Sequence, residues 1–461
     1  MNSLVTLFCG AGGLDLGFHM NRSYKLSMAN EILEKPLTSY SKNLKMPLIP
    51  MDEFLGDESA AVLGDVQEFN FSIFDSKDTD VVVGGPPCQD FSVLRGKSKR
   101  QGIEVKRGKL YSHYVRALVH VQPKVFVFEN VPGLLTANKG KAYEVIAQDF
   151  ENLSIRWDEV KKLVNNGEKL KIDGYELIFS SIVKMTDLGV PQGRRRLIII
   201  GIRKDQIKDV GILFDLENTA KKILKGTNNL FSNYPLTPIE VLEGDTLENL
   251  NDEYSAIMKD YDGVWKDVNN SQGENWKKTV WNNLSFDIFE DYKILNKIKN
   301  FSEENLERAL TEHKKVLKML GYYKRPVENE VFEDGSNDLP KEQRRVLERM
   351  ERIPPGFNFK FVEGTKWQVK GLMSGIYRRI HPLIPSATVI AYGGGGTWGY
   401  HYRRNRGVMT NRERARLQTF PDWYMFEGSR QDVRAQIGEA VPPLASYNIA
   451  EAVEEILEKI N

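Results

Sequence analysis

The segment GGPPCQDFS, residues 84–92, places a cysteine directly after a rigid Pro-Pro pair. As a thiolate, Cys88 would be a strong nucleophile, although only a small fraction of free cysteine is ionised at neutral pH. Cysteine is also commonly buried as an inert packing residue. The Gly, Pro, Gln, Asp and Ser residues around Cys88 are poor core composition, so we predict that it is a nucleophile.

Two other polar segments could support this chemistry. Glu129 lies in FENVPG, residues 128–133, and GVPQGRRR, residues 189–196, ends in three arginines. A glutamate at a strand end is commonly a cap or an ion-pair partner, and an arginine run is commonly a solvated surface. Beside Cys88, Glu129 could hold or share a proton, and a guanidinium could stabilise charge that develops on a substrate.

A glycine-rich segment near the start, FCGAGGLDLGF at residues 8–18, could bind a cofactor. Glycines let the backbone turn tightly and approach a ligand. Glu31 follows roughly 20 positions later, where an acid could accept hydrogen bonds from ribose hydroxyls. Asp15 stands where a dinucleotide fingerprint has its third glycine, which argues against pyrophosphate, although a simple turn and a nicotinamide or flavin site remain alternatives. Asp65 could accept from an adenine amino group or could be a turn residue.

Short apolar runs precede these segments and predict the strands that position them. They lie at residues 5–8, 80–83, 125–128 and 197–200, each near Gly or Pro, with amphipathic stretches between them. This alternation predicts a parallel sheet covered on both faces, with ligands beyond the carboxyl ends of its strands. Further on, a helix is expected at 303–320, capped by Ser302, and another at the tail.

Composition narrows the class of protein. The 461 residues carry 64 Lys and Arg against 63 Asp and Glu, a net charge of +1 that excludes a uniformly basic binder. With 41% hydrophobic residues, a large core is expected. The two cysteines exclude a disulfide scaffold or a zinc site of three or four thiolates, and no metal is expected. Without a signal sequence or an apolar span, a cytoplasmic, nucleoid-associated protein is expected.

Six segments occur in the order found in DNA (cytosine-5) methyltransferases, and the chain resembles that family in its prokaryotic restriction-modification form. They are FCGAGGLDLGF, GGPPCQDFS, FENVPG, GVPQGRRR, RERARLQTFPD and QIGEAVPP. Six separated segments in one order are stronger evidence than any single motif. The resemblance implies an α/β, doubly wound, Rossmann-like S-adenosylmethionine-dependent methyltransferase domain with an inserted irregular target-recognition domain. We expect the catalytic domain at 1–202, completed by 430–461, and the target-recognition domain at 203–429.

The resemblance also implies roles for individual residues. Cys88 adds to C6 of cytosine, Glu129 serves N3 and the exocyclic amine, Arg196 serves O2, and Arg194 belongs to the active-site framework. The residues implied to contact S-adenosylmethionine, which leaves as S-adenosylhomocysteine, are Phe8, Ala11, Gly12, Gly13, Leu14, Glu31, Asp65, Val66, Gly85, Pro87, Leu110, Glu439 and Val441. The family's usual Gly-Asn-Ala-Val is Gly-Glu-Ala-Val here, which puts the contact of Glu439 in doubt.

Double-stranded DNA is the implied substrate, and a target cytosine must be flipped out of the helix to be reached. Candidate DNA contacts are Ser92, Arg95, Lys97, Arg378, Arg379, Arg403 and Arg404. The protein is expected to be a monomer that is paired functionally with a restriction endonuclease. Its methylation would protect host DNA from cleavage by that endonuclease. The alternative is an RNA (tRNA) cytosine-5 methyltransferase, but relatives of that kind carry a further cysteine block for which this chain has no cysteine to spare.

Overall fold

The computed structural model describes residues 1–74, 78–87, 110–164, 172–226, 230–369, 375–393, 396–397 and 399–461. The predicted nucleophile Cys88 lies outside the described residues, as do the predicted DNA contacts Ser92, Arg95 and Lys97.

Among the described residues, strands and helices alternate in the first part of the chain, and only helices follow. The strands are β1 (Asn2–Leu7), β2 (Tyr24–Glu31), β3 (Leu48–Pro50), β4 (Ala60–Leu63), β5 (Val81–Gly84), β6 (Val125–Asn130), β7 (Tyr175–Lys184) and β8 (Arg195–Arg203). The helices are α1 (Gly13–Asn21), α2 (Glu34–Leu44), α3 (Leu110–Val121), α4 (Lys141–Asn152), α5 (Asp158–Lys161), α6 (Gly211–Leu224), α7 (Pro238–Glu243), α8 (Asn251–Lys259), α9 (Val264–Val268), α10 (Ser271–Thr279), α11 (Ile288–Leu295), α12 (Glu303–Met319), α13 (Arg344–Met350), α14 (Asn411–Leu417), α15 (Arg430–Glu439) and α16 (Pro443–Ile460).

The strands form one sheet in the order β3-β4-β2-β1-β5-β6-β8-β7. From β3 to β6 every neighbouring pair is parallel, as the apolar runs predict. The run at 197–200 differs from the prediction, because β8 runs antiparallel to both β6 and β7. An apolar run has the same composition in either direction, so periodicity could not reveal this. The reversal places the start of β8 at the edge where the parallel strands end.

The chain divides into two compact units. Unit 1 comprises Met1–Lys184, Arg195–Asn228 and Ala440–Asn461, and it contains the whole sheet. Its last two pieces pack together through α6 and α16, where Lys459 Nζ lies 2.7 Å from Asp215 Oδ2. These limits differ from the sequence-based boundaries, since 203–228 join the sheet-containing unit, whereas 185–194 and 430–439 belong to unit 2. The functional assignment of the domains stays a prediction.

Unit 2 comprises Met185–Arg194 and Asn229–Glu439 and carries the helices α7 to α15. Within its described residues, β pairing occurs only at isolated bridges. The helix predicted at 303–320 is present as α12, and the hydroxyl of Ser302 accepts a hydrogen bond from the amide of Asn305 at 3.1 Å, as the capping prediction requires. Across the described parts of both units, no helix combines the length and the apolar character needed to cross a membrane.

Candidate active site

The glycine-rich segment turns sharply between β1 and α1. Phe8, Gly10 and Gly12 all have positive φ, at 57°, 56° and 74°. A Cβ on Gly12 would lie 2.6 Å from Cδ2 of the Tyr40 ring, so a larger residue has no room there. The close turn that the sequence predicts is therefore formed, and its backbone lies directly against a side chain of α2.

The same turn packs against the start of the C-terminal piece of unit 1. A Cβ on Gly13 would lie 2.3 Å from the carbonyl oxygen of Val441 and 2.8 Å from Cβ of Ala440. The hydroxyl of Ser446 donates to the carbonyl of Leu14. Three residues predicted to contact the cofactor, Gly13, Leu14 and Val441, are thus brought together although they lie at opposite ends of the chain.

Glu31 ends β2 and is held by backbone amides. Its Oε2 accepts from the amide of Gly10 at 3.0 Å, and its Oε1 accepts from the amides of Ile32 and Leu33 at 2.9 and 3.0 Å. These bonds fix the orientation of a carboxylate beside the glycine turn.

Asp65 and Val66 follow β4, the parallel neighbour of β2, so they share an edge of the sheet with Glu31. Asp65 accepts from the amide of Gln67 and from its side-chain nitrogen, both at 3.0 Å. The carbonyl of Val66 accepts from the buried guanidinium of Arg116 on α3 at 2.6 Å. Sequence reasoning did not single out Arg116, because an arginine within an amphipathic helix shows no signal that it reaches a loop.

The end of β5 and the end of β6 meet at the predicted chemical centre. Gly85 has no space for a side chain, since a Cβ there would lie 2.7 Å from Oε2 of Glu129. Asn130 donates to the carbonyl of Pro86 at 3.4 Å. Pro87, which is exposed, is the last described residue before Cys88, so the strand that carries the predicted nucleophile ends beside Glu129.

Glu129 forms an ion pair with Arg196, whose Nε lies 2.8 Å from Oε1 of Glu129. The side chains are 13% and 16% exposed. The contact follows from the reversed direction of β8, in which Ile198 pairs with Glu129 and Arg196 precedes it by two residues. The structure therefore joins a carboxylate and a permanent cation that the sequence separates widely, at the edge where β5 ends.

Arg194 belongs to unit 2, where its side chain is almost fully buried. Its guanidinium donates to the carbonyls of Val389 at 3.3 Å and of Gly438 and Glu439 at 3.1 Å each. A Cβ on Gly438 would lie 2.2 Å from the amide nitrogen of Ala391, so the backbone chains run in contact there. The guanidinium therefore holds three backbone carbonyls of unit 2, and the framework role that the resemblance implies for Arg194 stays a prediction.

The predicted DNA contacts of unit 2 differ in their surroundings. Arg378 is exposed, and its side chain makes no hydrogen bond or ion pair with any described residue. Arg403 forms an ion pair with Glu243 at 3.0 Å, and Arg404 forms one with Asp267 at 3.0 Å. Binding of Arg403 or Arg404 to a phosphate would therefore compete with an existing ion pair.

Arg379 is 0% exposed, which does not support direct contact with DNA. Its Nε donates to the carbonyl of Ile353 at 2.8 Å, and its terminal nitrogens donate to the carbonyls of Met350 and Arg403, both at 2.6 Å. A buried guanidinium with carbonyl acceptors on several segments fixes those segments relative to one another. Sequence reasoning could not detect this, because the acceptors are backbone atoms from distant residues.

Comparisons with known proteins agree with these features. The profile of the C-5 cytosine-specific DNA methylase family matches residues 3–455. The chain is 50% identical to the DNA (cytosine-5-)-methyltransferase M.ApeKI of Aeropyrum pernix, over 99% of each chain. It is 32% identical to the type II methyltransferase M.NgoFVII of Neisseria gonorrhoeae, over 98% of this chain and 86% of the relative.

A similar fold is found in the crystal structure of an E. coli prophage-encoded protein described as a DNA modification methyltransferase. The TM-score is 0.56 at 22% identity, and the match covers 99% of this chain and 100% of the other. With a family profile that spans nearly the whole sequence, the resemblance inferred from the six segments is confirmed. The chain belongs to the C-5 cytosine-specific DNA methylase family.

Proposed function

We propose that this member of the family transfers a methyl group from S-adenosylmethionine to C5 of a cytosine that is flipped out of double-stranded DNA, through a covalent adduct between Cys88 and C6. The observation that carries the proposal is the ion pair between Glu129 and Arg196, two groups suited to a cytosine ring, at the sheet edge where the strand leading to Cys88 ends.

The glycine turn fits the proposed cofactor. At Gly12 and Gly13 a side chain would collide with Tyr40 and Val441, so glycine allows the close turn at which the cofactor is proposed to bind, and the amide of Gly10 fixes Glu31 beside it. S-adenosylmethionine supplies an electrophilic methyl group on a sulfonium. The residues proposed to hold it are the predicted set, namely Phe8, Ala11, Gly12, Gly13, Leu14, Glu31, Asp65, Val66, Gly85, Pro87, Leu110 and Val441, with Glu439 as an additional candidate.

The proposed chemistry divides among residues of this chain. The thiolate of Cys88 adds to C6 and makes C5 nucleophilic, and C5 then takes the methyl group. Arg196, a permanent cation, stabilises the charge that the addition places on the ring through O2. Glu129 accepts a hydrogen bond from the exocyclic amine and faces N3. Loss of the C5 proton to solvent and expulsion of the Cys88 thiolate restore the aromatic base.

DNA engagement is proposed for both parts of the chain. Residues after Cys88, including Ser92, Arg95 and Lys97, would bind DNA near the extruded base. In unit 2, Arg378, Arg403 and Arg404 would contact the duplex, and the unit as a whole would select the sequence, while Arg379 supports the backbone. We further propose that the enzyme acts as a monomer and is paired with a restriction endonuclease, since type II methyltransferases are among the relatives.

Base-resolution bisulfite sequencing of plasmid DNA tests the proposal. Purified protein and S-adenosylmethionine should convert one cytosine in a recurring sequence to the bisulfite-resistant form, and omission of the cofactor should abolish this. Cys88→Ala should remove the signal, whereas the exposed control Arg345→Ala should retain it. Methylation by Cys88→Ala, or transfer to tRNA instead of DNA, would overturn the proposal.

A further inference from the structure

Asp15 is a buried acid that the proposed chemistry does not use. It lies in the first turn of α1 and is 0% exposed. Its Oδ1 accepts from the hydroxyl of Thr6 on β1 and from the hydroxyl of Tyr40 on α2, the latter at 3.2 Å. Its other oxygen, Oδ2, has no hydrogen-bond partner among the described residues. Half of this carboxyl group is therefore unsatisfied in the interior.

This arrangement is unfavourable for the free protein. An unpaired polar atom in the interior loses its hydration without compensation, and an ionised one loses more. Burial raises the pKa of Asp15 to about 6, and the hydrogen bonds from Thr6 and Tyr40 only partly oppose this effect. Asp15 forms no ion pair with a described cationic side chain. Its neighbour Cys9 has a thiol whose pKa is raised by burial and by the nearby charges of Asp15 and Glu31.

The position of Asp15 connects it to the glycine turn. It is the third residue after Gly12, and residues three apart on a helix are neighbours. Tyr40 links the two, because its hydroxyl donates to Asp15 while its ring occupies the space beside Gly12. A cation bound at the turn would thus lie near a buried negative charge that has no cationic partner among the described residues.

We propose that Asp15 favours the cationic methyl donor over the product at the glycine turn, by supplying negative charge to the sulfonium. The inference rests on the proposed function, which places S-adenosylmethionine there. S-adenosylmethionine carries a positive sulfonium that S-adenosylhomocysteine lacks, and the two molecules are otherwise alike in shape. The charge of Asp15 therefore distinguishes them, whereas the hydrogen bonds proposed between Glu31 and the ribose do not.

Calorimetric titration with S-adenosylmethionine and with S-adenosylhomocysteine tests the inference. Asp15→Asn removes the charge and keeps an oxygen that can accept from Thr6 and Tyr40. We expect its preference for the methyl donor to fall roughly tenfold, the order of magnitude expected when one unit charge near the sulfonium is lost in a partly screened interior. Tyr40→Phe is the matched control, since it removes one hydroxyl that donates to the same carboxyl group. Because that hydrogen bond lowers the pKa of Asp15, which is about 6, the titrations are run well above pH 6, where the carboxylate stays charged and the variant should keep the wild-type preference.

The outcomes separate the two proposals. If Asp15→Asn weakens the binding of both ligands equally, or leaves the ratio of their dissociation constants unchanged, the inference is overturned and Asp15 has only a packing role. Failure of the wild-type protein to bind either ligand contradicts the proposed cofactor instead. If Asp15→Asn does not fold by circular dichroism, Asp15→Ser provides the same removal of charge with a smaller side chain, and the same ratio decides.

Discussion

The ion pair between Glu129 and Arg196 makes a quantitative prediction for a double-mutant cycle. Glu129→Gln and Arg196→Met each remove one charge with little change in volume. Loss of one member of a fully buried pair costs about 3–5 kcal/mol, because the other charge stays buried without a partner. The side chains of Glu129 and Arg196 are 13% and 16% exposed and so are not fully buried. We therefore expect each single variant to lose about 2 kcal/mol of unfolding free energy.

The double variant should lose less stability than the sum of the single variants. A coupling free energy of about 1–2 kcal/mol is expected for groups at 2.8 Å in this setting. Urea unfolding of the four proteins, followed by circular dichroism, measures it. The exposed pair Arg344 and Glu348, at 2.9 Å on α13, is the control and should couple by less than about 0.5 kcal/mol.

The same variants should be poor enzymes. Since Arg196 is proposed to stabilise charge on the ring and Glu129 to bind its amine edge, each single substitution should lower kcat about 10²–10³-fold. Methyl transfer from labelled S-adenosylmethionine to plasmid DNA gives the rate. Additive stability losses, within about 0.3 kcal/mol, together with near wild-type kcat would refute the assignment of this pair to the active centre.

Three further predictions concern packing, pH and DNA. Gly13→Ala should destabilise the protein by about 1–3 kcal/mol and weaken cofactor binding, because the new Cβ would collide with the Val441 carbonyl. Thermal unfolding measures the stability and calorimetry measures the binding, and an unchanged melting temperature would contradict the contact. Glu240 lies 2.8 Å from the buried His313 and raises the pKa of His313 above 6.5, so the stabilisation of the protein by this pair is complete below pH 6.5 and is lost as the pH rises through the raised pKa. His313→Gln should therefore flatten the pH dependence of the free energy of unfolding in urea, and a retained slope would contradict this. Arg378→Ala should weaken binding to cognate duplex about 5-fold or more and reduce its salt dependence, as measured by fluorescence anisotropy, and an unaltered salt slope removes Arg378 as a phosphate contact.

The sequence was sufficient for the parallel core of the fold. Apolar runs followed by glycine or proline predicted β1, β5 and β6 and the edge at which the predicted ligand-binding residues lie. The glycine turn was predictable because positive φ leaves few alternatives to glycine. Glu31 was predictable from its distance beyond the turn. These are local signals, in which the residue type and its position along the chain carry the information.

Features that depend on tertiary contacts could not be predicted in this way. The direction of β8, which brings Arg196 to Glu129, depends on pairing with β6 and β7 and not on composition. Asp15 was noticed only as a departure from a glycine pattern, since its partner Tyr40 comes from a different helix. Arg379 was predicted to contact DNA, but its guanidinium is buried and donates to carbonyls inside unit 2.

The central claim is that the sulfur of Cys88 bonds to C6 of the target base, and trapping with a fluorinated substrate tests it most directly. In a cognate duplex whose target is 5-fluorocytosine, C5 carries fluorine in place of the proton that must leave, so the enzyme cannot release the base after methyl transfer. Intact-mass analysis after incubation with S-adenosylmethionine should show protein linked to DNA, with the linkage at Cys88 after digestion and no adduct for Cys88→Ser. Absence of an adduct on a duplex whose unfluorinated form is methylated, or an adduct at another residue, would contradict the account.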